Sequence, residues 1–204
     1  DWIINFSQFT GEIGRNPRTV QFRFKAEGIP PTNNSQSLWT MGSSTVSSSI
    51  VLEYSGSGLT SGSYSASIKD PYYQYGTLKY INGSGQSASA YLPFFNEGWW
   101  SVMATVDSST TASLHVGNKI YNGKDGTSIG YYSSSAVAAD GWELLYSSTS
   151  SFGKPYTGYS NFSGSFQEIR YFSPYTTESA FKDYIMNPLS IEGNIPTISA
   201  DKLV

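Results

Sequence analysis

The stretch with the clearest potential for chemistry is a tyrosine-rich segment at residues 70–76, which reads Asp-Pro-Tyr-Tyr-Gln-Tyr-Gly. Sugar recognition uses flat aromatic rings for stacking beside short polar side chains that bond hydroxyl groups, and recognition residues concentrate in loops. This segment supplies both, and its proline and glycine restrict the shape of the loop. The candidate ligand-binding residues are therefore Asp70, Tyr72, Tyr73, Gln74 and Tyr75. The alternative is that some of these tyrosines pack at the edge of the fold with only the hydroxyl in water.

A second, smaller aromatic cluster contains Tyr156, Tyr159 and Phe162 in a long polar loop. Among the tryptophans, Trp100 and Trp142 share the apolar side of their predicted strands, which places them in a core. Trp99 has the opposite parity, so we expect it to be exposed or to cover a neighbouring loop.

Catalysis finds little support in the pattern of ionisable residues. A glycoside hydrolase needs two carboxylates about 5 to 9.5 Å apart, and neither Glu143 nor Glu168 has an acidic neighbour at strand spacing. The one histidine, His115, alternates with Leu114 and Val116, which predicts a surface histidine on the solvent-facing side of its strand. The residues therefore predict a protein that is not an enzyme.

Metal binding is a weaker alternative that rests on loop aspartates. Asp125 and Asp140 could offer the hard oxygen ligands that calcium prefers. Each is followed by glycine, and Asp-Gly pairs are equally good turn formers. Calcium is therefore an open expectation for this chain.

The composition predicts one domain over residues 1–204. The net charge is −3, only 13% of residues are charged, and there is no cysteine. Without a basic block or a long apolar run, we expect neither nucleic-acid binding nor membrane insertion. The chain begins at Asp1 with no signal sequence, which predicts an excised domain or a mature fragment.

The fold prediction depends on alternating hydrophobicity. Residues 19–26 alternate apolar and polar side chains, Trp100, Val102, Ala104 and Val106 share one face of residues 100–106, and Leu114 and Val116 share one face of residues 112–121, as in half-buried antiparallel strands. One helix is predicted near residues 177–186, capped by Thr176 or Thr177, with Phe181, Tyr184 and Ile185 on one side. About a dozen strands and one short C-terminal helix predict an all-β antiparallel sandwich.

The strand at residues 166–172 breaks its own alternation. Phe166 has the parity of Glu168, while Ile169 and Tyr171 share the other parity. A β-bulge near Gln167 and Glu168 would place all three apolar residues on one face.

Four segments resemble the laminin-G-like, or concanavalin-A-like, lectin domains: residues 19–26, 37–54, 99–121 and 164–187. The most specific, Gly-Ser-Phe-Gln-Glu-Ile-Arg-Tyr-Phe at 164–172, is similar to the family strand G-x-I-D-E-[IV]-R-I-Y, with Gln167 in place of the usual Asp. The resemblance is greatest to such domains in viral and phage surface proteins, and it implies a jelly-roll sandwich.

The resemblance implies a non-catalytic module that binds a glycan or a surface protein, on the outside of a cell or on a virion. One alternative is a structural decoration, capsid or fibre domain in a homo-oligomer or larger particle. Another is a polysaccharide-active enzyme. Fold alone does not decide among them.

Overall fold

The computed structural model describes residues 2–5, 17–28, 34–42, 47–54, 74–107, 111–134, 137–139, 149–154, 158–172 and 175–190. The sequence also predicts strands at residues 64–69 and 142–146, and both segments lie outside the described residues, as does Trp142. The strands in the described ranges are β1 Trp2–Asn5, β2 Thr19–Ala26, β3 Asn34–Gly42, β4 Ser47–Tyr54, β5 Gly76–Ile81, β6 Ser87–Leu92, β7 Trp100–Val106, β8 Thr111–Tyr121, β9 Thr127–Ser133, β10 Val137–Ala138, β11 Thr149–Phe152, β12 Ser160–Asn161 and β13 Gly164–Phe172. The helix α1 spans Glu178–Met186.

The strands form two sheets, and the predicted antiparallel jelly-roll sandwich is confirmed. The first sheet has the order β1-β11-β3-β4-β5-β6, and β12 adds to β3 as a short parallel strand. The second sheet has the order β10-β8-β7-β2-β13, with β9 also paired to β8.

The core lies between the sheets and is dominated by aromatic rings. Phe22 of the second sheet meets Phe152 of the first edge-to-face, with ring centroids 5.2 Å apart. Three polar groups in this core are hydrogen-bonded to one another. The Trp39 indole nitrogen donates to the Tyr171 hydroxyl at 3.1 Å, and that hydroxyl lies 2.5 Å from Ser150 Oγ. Burial raises the pKa of Tyr171, so its hydroxyl keeps its proton and joins the two sheets.

The predicted bulge in β13 is confirmed. The pairing of β13 with β2 shifts register between Gln167 and Arg170, and Glu168 adopts a left-handed φ of 52°. Phe166 and Ile169 pack against the core and Tyr171 belongs to it. The extra residue therefore restores one apolar face to a strand whose sequence does not alternate.

The helix α1 also matches its prediction. Thr177 caps it, with Oγ1 accepting from the Ala180 amide at 3.3 Å, and Phe181, Tyr184 and Ile185 are buried. α1 packs on the outer side of the second sheet, where Phe181 and Ile185 cluster with Met103. No helix in the described ranges has the length and hydropathy needed to cross a bilayer.

The position of α1 corrects one expectation about β7. Its sequence predicts one face on a core and one in water, yet every residue of β7 is buried. The face with Trp100 and Val102 packs between the sheets, as predicted, while Met103 on the other face is covered by α1. Gly117 of β8 permits this approach, because a Cβ there would lie 2.4 Å from Ile185 Cδ1.

We expect Trp100→Ala to lower the free energy of unfolding by about 3–5 kcal/mol, the usual cost of truncating a buried large aromatic residue. Trp100 is 4% exposed and its ring meets Phe94 at a centroid distance of 5.0 Å. Urea denaturation measures the change. Tyr121→Ala is the matched control, since Tyr121 is 77% exposed and its loss should cost less than about 0.5 kcal/mol. Equal stabilities of the two variants would contradict the register of β7.

Candidate functional site: an aromatic face on β5 and β6

The hairpin of β5 and β6 is anchored by the side chain of Asn82 in its turn. Asn82 Oδ1 accepts from the amides of Ser84 and Gln86, at 3.1 and 2.7 Å. Its Nδ2 donates to the Ala138 carbonyl, beside the second sheet, at 3.0 Å. Asn82 therefore fixes both the turn and the position of this sheet edge.

The opposite end of the hairpin is fixed by the close packing of Gly76. A Cβ at Gly76 would lie 2.6 Å from the Phe95 ring and 2.9 Å from the Glu53 carbonyl, so only glycine fits. The Phe95 amide donates to the Gln74 carbonyl at 2.9 Å, and the Phe95 ring packs edge-to-face on Tyr54. Gln74 and Tyr75 are thus held against the rim of the first sheet.

Two tyrosines form an aromatic surface at this rim. The rings of Tyr75 and Tyr91 have centroids 5.2 Å apart and planes tilted by 36°. Tyr91 is 58% exposed, while Tyr75 is half-buried. A paired, partly exposed aromatic surface costs little conformational entropy on binding and offers a flat apolar area.

Polar side chains surround this surface on the same face of the first sheet. Thr77 lies opposite Tyr91 in β6 and opposite Glu53 in β4, and Lys79 lies opposite Ser89. Opposite residues in antiparallel strands have Cβ atoms about 4.5–5.5 Å apart, so hydroxyl groups and an ion pair border the rings. The Lys79 ammonium donates to Glu53, which leaves this cluster without net charge.

The backbone of β6 is also contacted from the second sheet. The Tyr132 hydroxyl of β9 donates to the Ser89 carbonyl at 3.2 Å, and Tyr132 remains partly exposed. We call Tyr75, Tyr91 and the four polar residues around them the β5–β6 face. It combines a fixed apolar surface with hydroxyl, ammonium and carboxylate groups, the functional groups that can orient sugar hydroxyls.

Only part of the predicted site can be placed. Tyr75 belongs to the β5–β6 face and Gln74 precedes it, whereas Asp70, Tyr72 and Tyr73 lie outside the described residues, as do Asp140 and Glu143. Asp125 ends a 3-10 turn that begins at Gly123. Within the described residues no three His, Asp or Glu side chains gather as they would around a metal ion.

The members of the second predicted aromatic cluster, Tyr156, Tyr159 and Phe162, do not form one surface among the described residues. Phe162 packs on Phe24 and Phe166, with centroid distances of 5.9 and 5.0 Å, so it is part of the core packing. Tyr159 is half-buried, and Tyr156 lies outside the described residues. Trp99 is also half-buried, with the Arg23 guanidinium 5.3 Å from its ring centroid.

Sequence reasoning missed Tyr91, Thr77 and the Glu53–Lys79 pair. The signal for Tyr91 is the segment Ser-Ala-Ser-Ala-Tyr-Leu at 87–92, whose alternating residues are exposed and buried in turn. Alanine and serine differ too little in hydrophobicity to make that period conspicuous.

His115 is not a surface residue, contrary to its predicted position. It faces away from the core as its alternation requires, but α1 covers it and it is 7% exposed. Its Nδ1 lies 2.8 Å from the Tyr131 hydroxyl and the two rings stack. Lys182 of α1 places its ammonium 4.3 Å from the Tyr131 ring centroid and pairs with Glu178.

Tyr131 and His115 are the two titratable groups that contact each other beneath α1. Burial, followed by the nearby Glu178 carboxylate, raises the pKa of Tyr131 to about 12, so Tyr131 stays protonated. His115 Nδ1 and the Tyr131 hydroxyl share one hydrogen bond, and His115 Nε2 is buried with no partner among the described residues. With Nε2 enclosed beneath α1, the cluster holds the helix and exposes no base.

The chain is similar to known proteins in its fold. No protein family and no curated protein matches the sequence. A heptameric SAP-like pentraxin from Limulus polyphemus is similar in fold, with a TM-score of 0.51 and 12% identity over 90% of this chain and 76% of that chain. The enzymatically active domain of tailspike protein 2 from bacteriophage CBA120 has a TM-score of 0.55 and 14% identity, over 98% of this chain and 27% of its own.

Full-length tailspike protein 2 of an Escherichia coli O157:H7 bacteriophage gives a TM-score of 0.56 with 14% identity, over 98% of this chain and 24% of that one. The chain thus spans about a quarter of the tailspike chains. At these identities the likeness shows the fold alone, and the laminin-G-like resemblance stays a prediction.

The prediction that the chain is not an enzyme is wrong as an inference from its fold and its carboxylates. A domain described as enzymatically active shares the fold. Glu168 forms an ion pair with Arg170 at 2.6 Å, and Glu143 lies outside the described residues. A count of neighbouring acids along one strand therefore does not exclude catalysis.

We expect the protein to lose stability as the pH falls below about 6.5. Burial lowers the pKa of His115 from 6.5. As the pH falls, the unfolded state therefore binds a proton before the folded state does. The stabilisation that is fully present above pH 6.5 is lost as the pH falls toward the folded-state pKa. Free energies of unfolding in urea at pH 7.5 and 5.5 measure this loss. His115→Gln is the control, because it cannot titrate. An identical pH dependence in both proteins would contradict the burial of a neutral His115.

Proposed function

We propose that this chain is a carbohydrate-recognition domain of a particle-surface protein related in architecture to phage tailspikes, and that the β5–β6 face contacts the glycan. The observation that carries the proposal is the Tyr75–Tyr91 pair, an exposed aromatic surface bordered by Thr77, Ser89 and the Glu53–Lys79 pair. Sugar rings offer an apolar face and a rim of hydroxyls, and this arrangement offers the complement of each.

The ligand class follows from the charge of the face. Because Lys79 is neutralised by Glu53, the face offers no uncompensated charge within the described residues, and a neutral sugar unit suits it. The predicted residues Asp70, Tyr72, Tyr73, Gln74 and Tyr75 belong to this proposal as one continuous segment that leads into β5. We also propose that the protein lies on a virion or cell surface, because the tailspike chains of similar fold are phage proteins.

A catalytic role is the second candidate, and one specific observation favours it. The tailspike domain of similar fold is described as enzymatically active. Incubation of the protein with each glycan that it binds, followed by analysis of reducing ends, separates the two candidates. Release of sugar would make the β5–β6 face part of an enzyme, and intact glycan would leave it a binding surface.

We expect Tyr91→Ala to weaken binding to a neutral glycan by at least about tenfold, which equals ~1.4 kcal/mol. The glycan is chosen as the strongest neutral hit of wild-type protein on a printed glycan array, and affinity is measured by calorimetry. Tyr91 is more than half exposed, so the thermal midpoint should stay close to that of wild type.

Tyr121→Ala serves as the matched control, since it removes an even more exposed tyrosine from the second sheet. If Tyr91→Ala and Tyr121→Ala bind as tightly as wild type, the β5–β6 face is not the glycan site. An array without any neutral hit would also reject the proposal.

A further inference from the structure

A second surface lies on the outer face of the other sheet and is built on Arg23 and Trp99. The Arg23 guanidinium carbon is 5.3 Å from the centroid of the Trp99 ring, and Arg23 Nη1 donates to Gln167 Oε1 at 3.4 Å. Arg23 is half-buried, so its guanidinium is held in one orientation by stacking and by a hydrogen bond. A guanidinium has five donors, and the described contacts use one of them.

Two lysines extend this surface. Lys25 follows Arg23 by two residues on the same face of β2, and Lys119 follows Gly117 on the same face of β8. Residues that lie opposite one another across neighbouring strands form a row. Arg23 pairs with Ser101 of β7 and Ser101 pairs with Gly117, so these three residues share one row. Spacings of about 7 Å along a strand and 5 Å between strands bring the Cα atoms of the three basic residues within about 12 Å of one another.

The acidic groups near this surface leave its positive charges available. Glu168 approaches Arg23 but is bound by Arg170 at 2.6 Å. Glu27 and Glu97 lie two residues beyond Lys25 and before Trp99 respectively. Within the described chain no salt bridge joins an acid to Arg23 or to the two lysines, since the ion pairs there use Lys79, Arg170 and Lys182.

We propose that Arg23, Lys25, Trp99, Lys119 and Gln167 form a site for an anionic polysaccharide, with a sugar carboxylate on Arg23 and the flat side of a ring on Trp99. A guanidinium matches a carboxylate in geometry and charge, and an indole matches the apolar face of a sugar. Glu27 and Glu97 border this site on one side, and Ile185 of α1, which packs against Gly117, borders it on another. The site is independent of the β5–β6 face, which belongs to the outer side of the opposite sheet.

Binding of polygalacturonate, in which every ring carries a carboxylate, tests the proposal, with neutral dextran and dextran sulfate as comparison polymers. We expect polygalacturonate to bind at low salt, to bind more weakly at higher salt, and to lose at least about fivefold in affinity in Arg23→Gln and in Lys119→Gln. The second variant keeps the test decisive if Arg23→Gln has a lowered thermal midpoint.

Lys154→Gln is the matched control, because it removes one exposed positive charge from the end of β11. Unchanged affinity in Lys119→Gln, an equal loss in Lys154→Gln, or equal binding of dextran would overturn the proposal. Tighter binding of dextran sulfate than of polygalacturonate would overturn the assignment to a carboxylate. Tyr91→Ala should bind polygalacturonate as wild type does, so the two proposed sites can fail separately.

Discussion

The left-handed backbone of Glu168 in β13 is the constraint on which both sides of the second sheet depend. One inserted residue changes the direction of every side chain that follows it. Phe166, before the bulge, and Tyr171, after it, thereby reach the same core, where the Tyr171 hydroxyl connects the sheets through Trp39. A φ of 52° is unfavourable for a residue with a Cβ, and the buried packing on either side maintains it.

The same bulge distributes the outward residues of β13. Before it, Gln167 supports Arg23. After it, Arg170 donates to Glu168 and to the Pro188 carbonyl beyond α1, and its guanidinium lies 5.0 Å from the Tyr184 ring centroid. The outward residues of β13 therefore have two kinds of neighbour: Gln167 contacts a side chain of β2, and Arg170 contacts the helix α1 and the residues that follow it.

The sequence was sufficient to predict the features that depend on local periodicity. Alternation located β2, β7 and β8, the i, i+3, i+4 pattern located α1, and broken alternation located the bulge. The same reasoning failed for His115, because alternation specifies which face a side chain occupies and carries no information about what covers that face. It also failed for Tyr91, whose contact with Tyr75 joins residues that become neighbours only when β5 pairs with β6.

The packing of the sandwich explains why both proposed surfaces are on its outside. Aromatic rings from the two sheets meet at centroid distances of 5.2 and 5.5 Å, where Phe152 contacts Phe22 and Phe166, so side chains of the described residues are in close contact between β2, β11 and β13. Both proposals therefore put the ligand on an outer face, where neighbouring rows of side chains follow the strands. Such rows repeat every two residues, about 7 Å, and a regular array of this kind suits a polymer of repeating units better than it suits a small compact molecule.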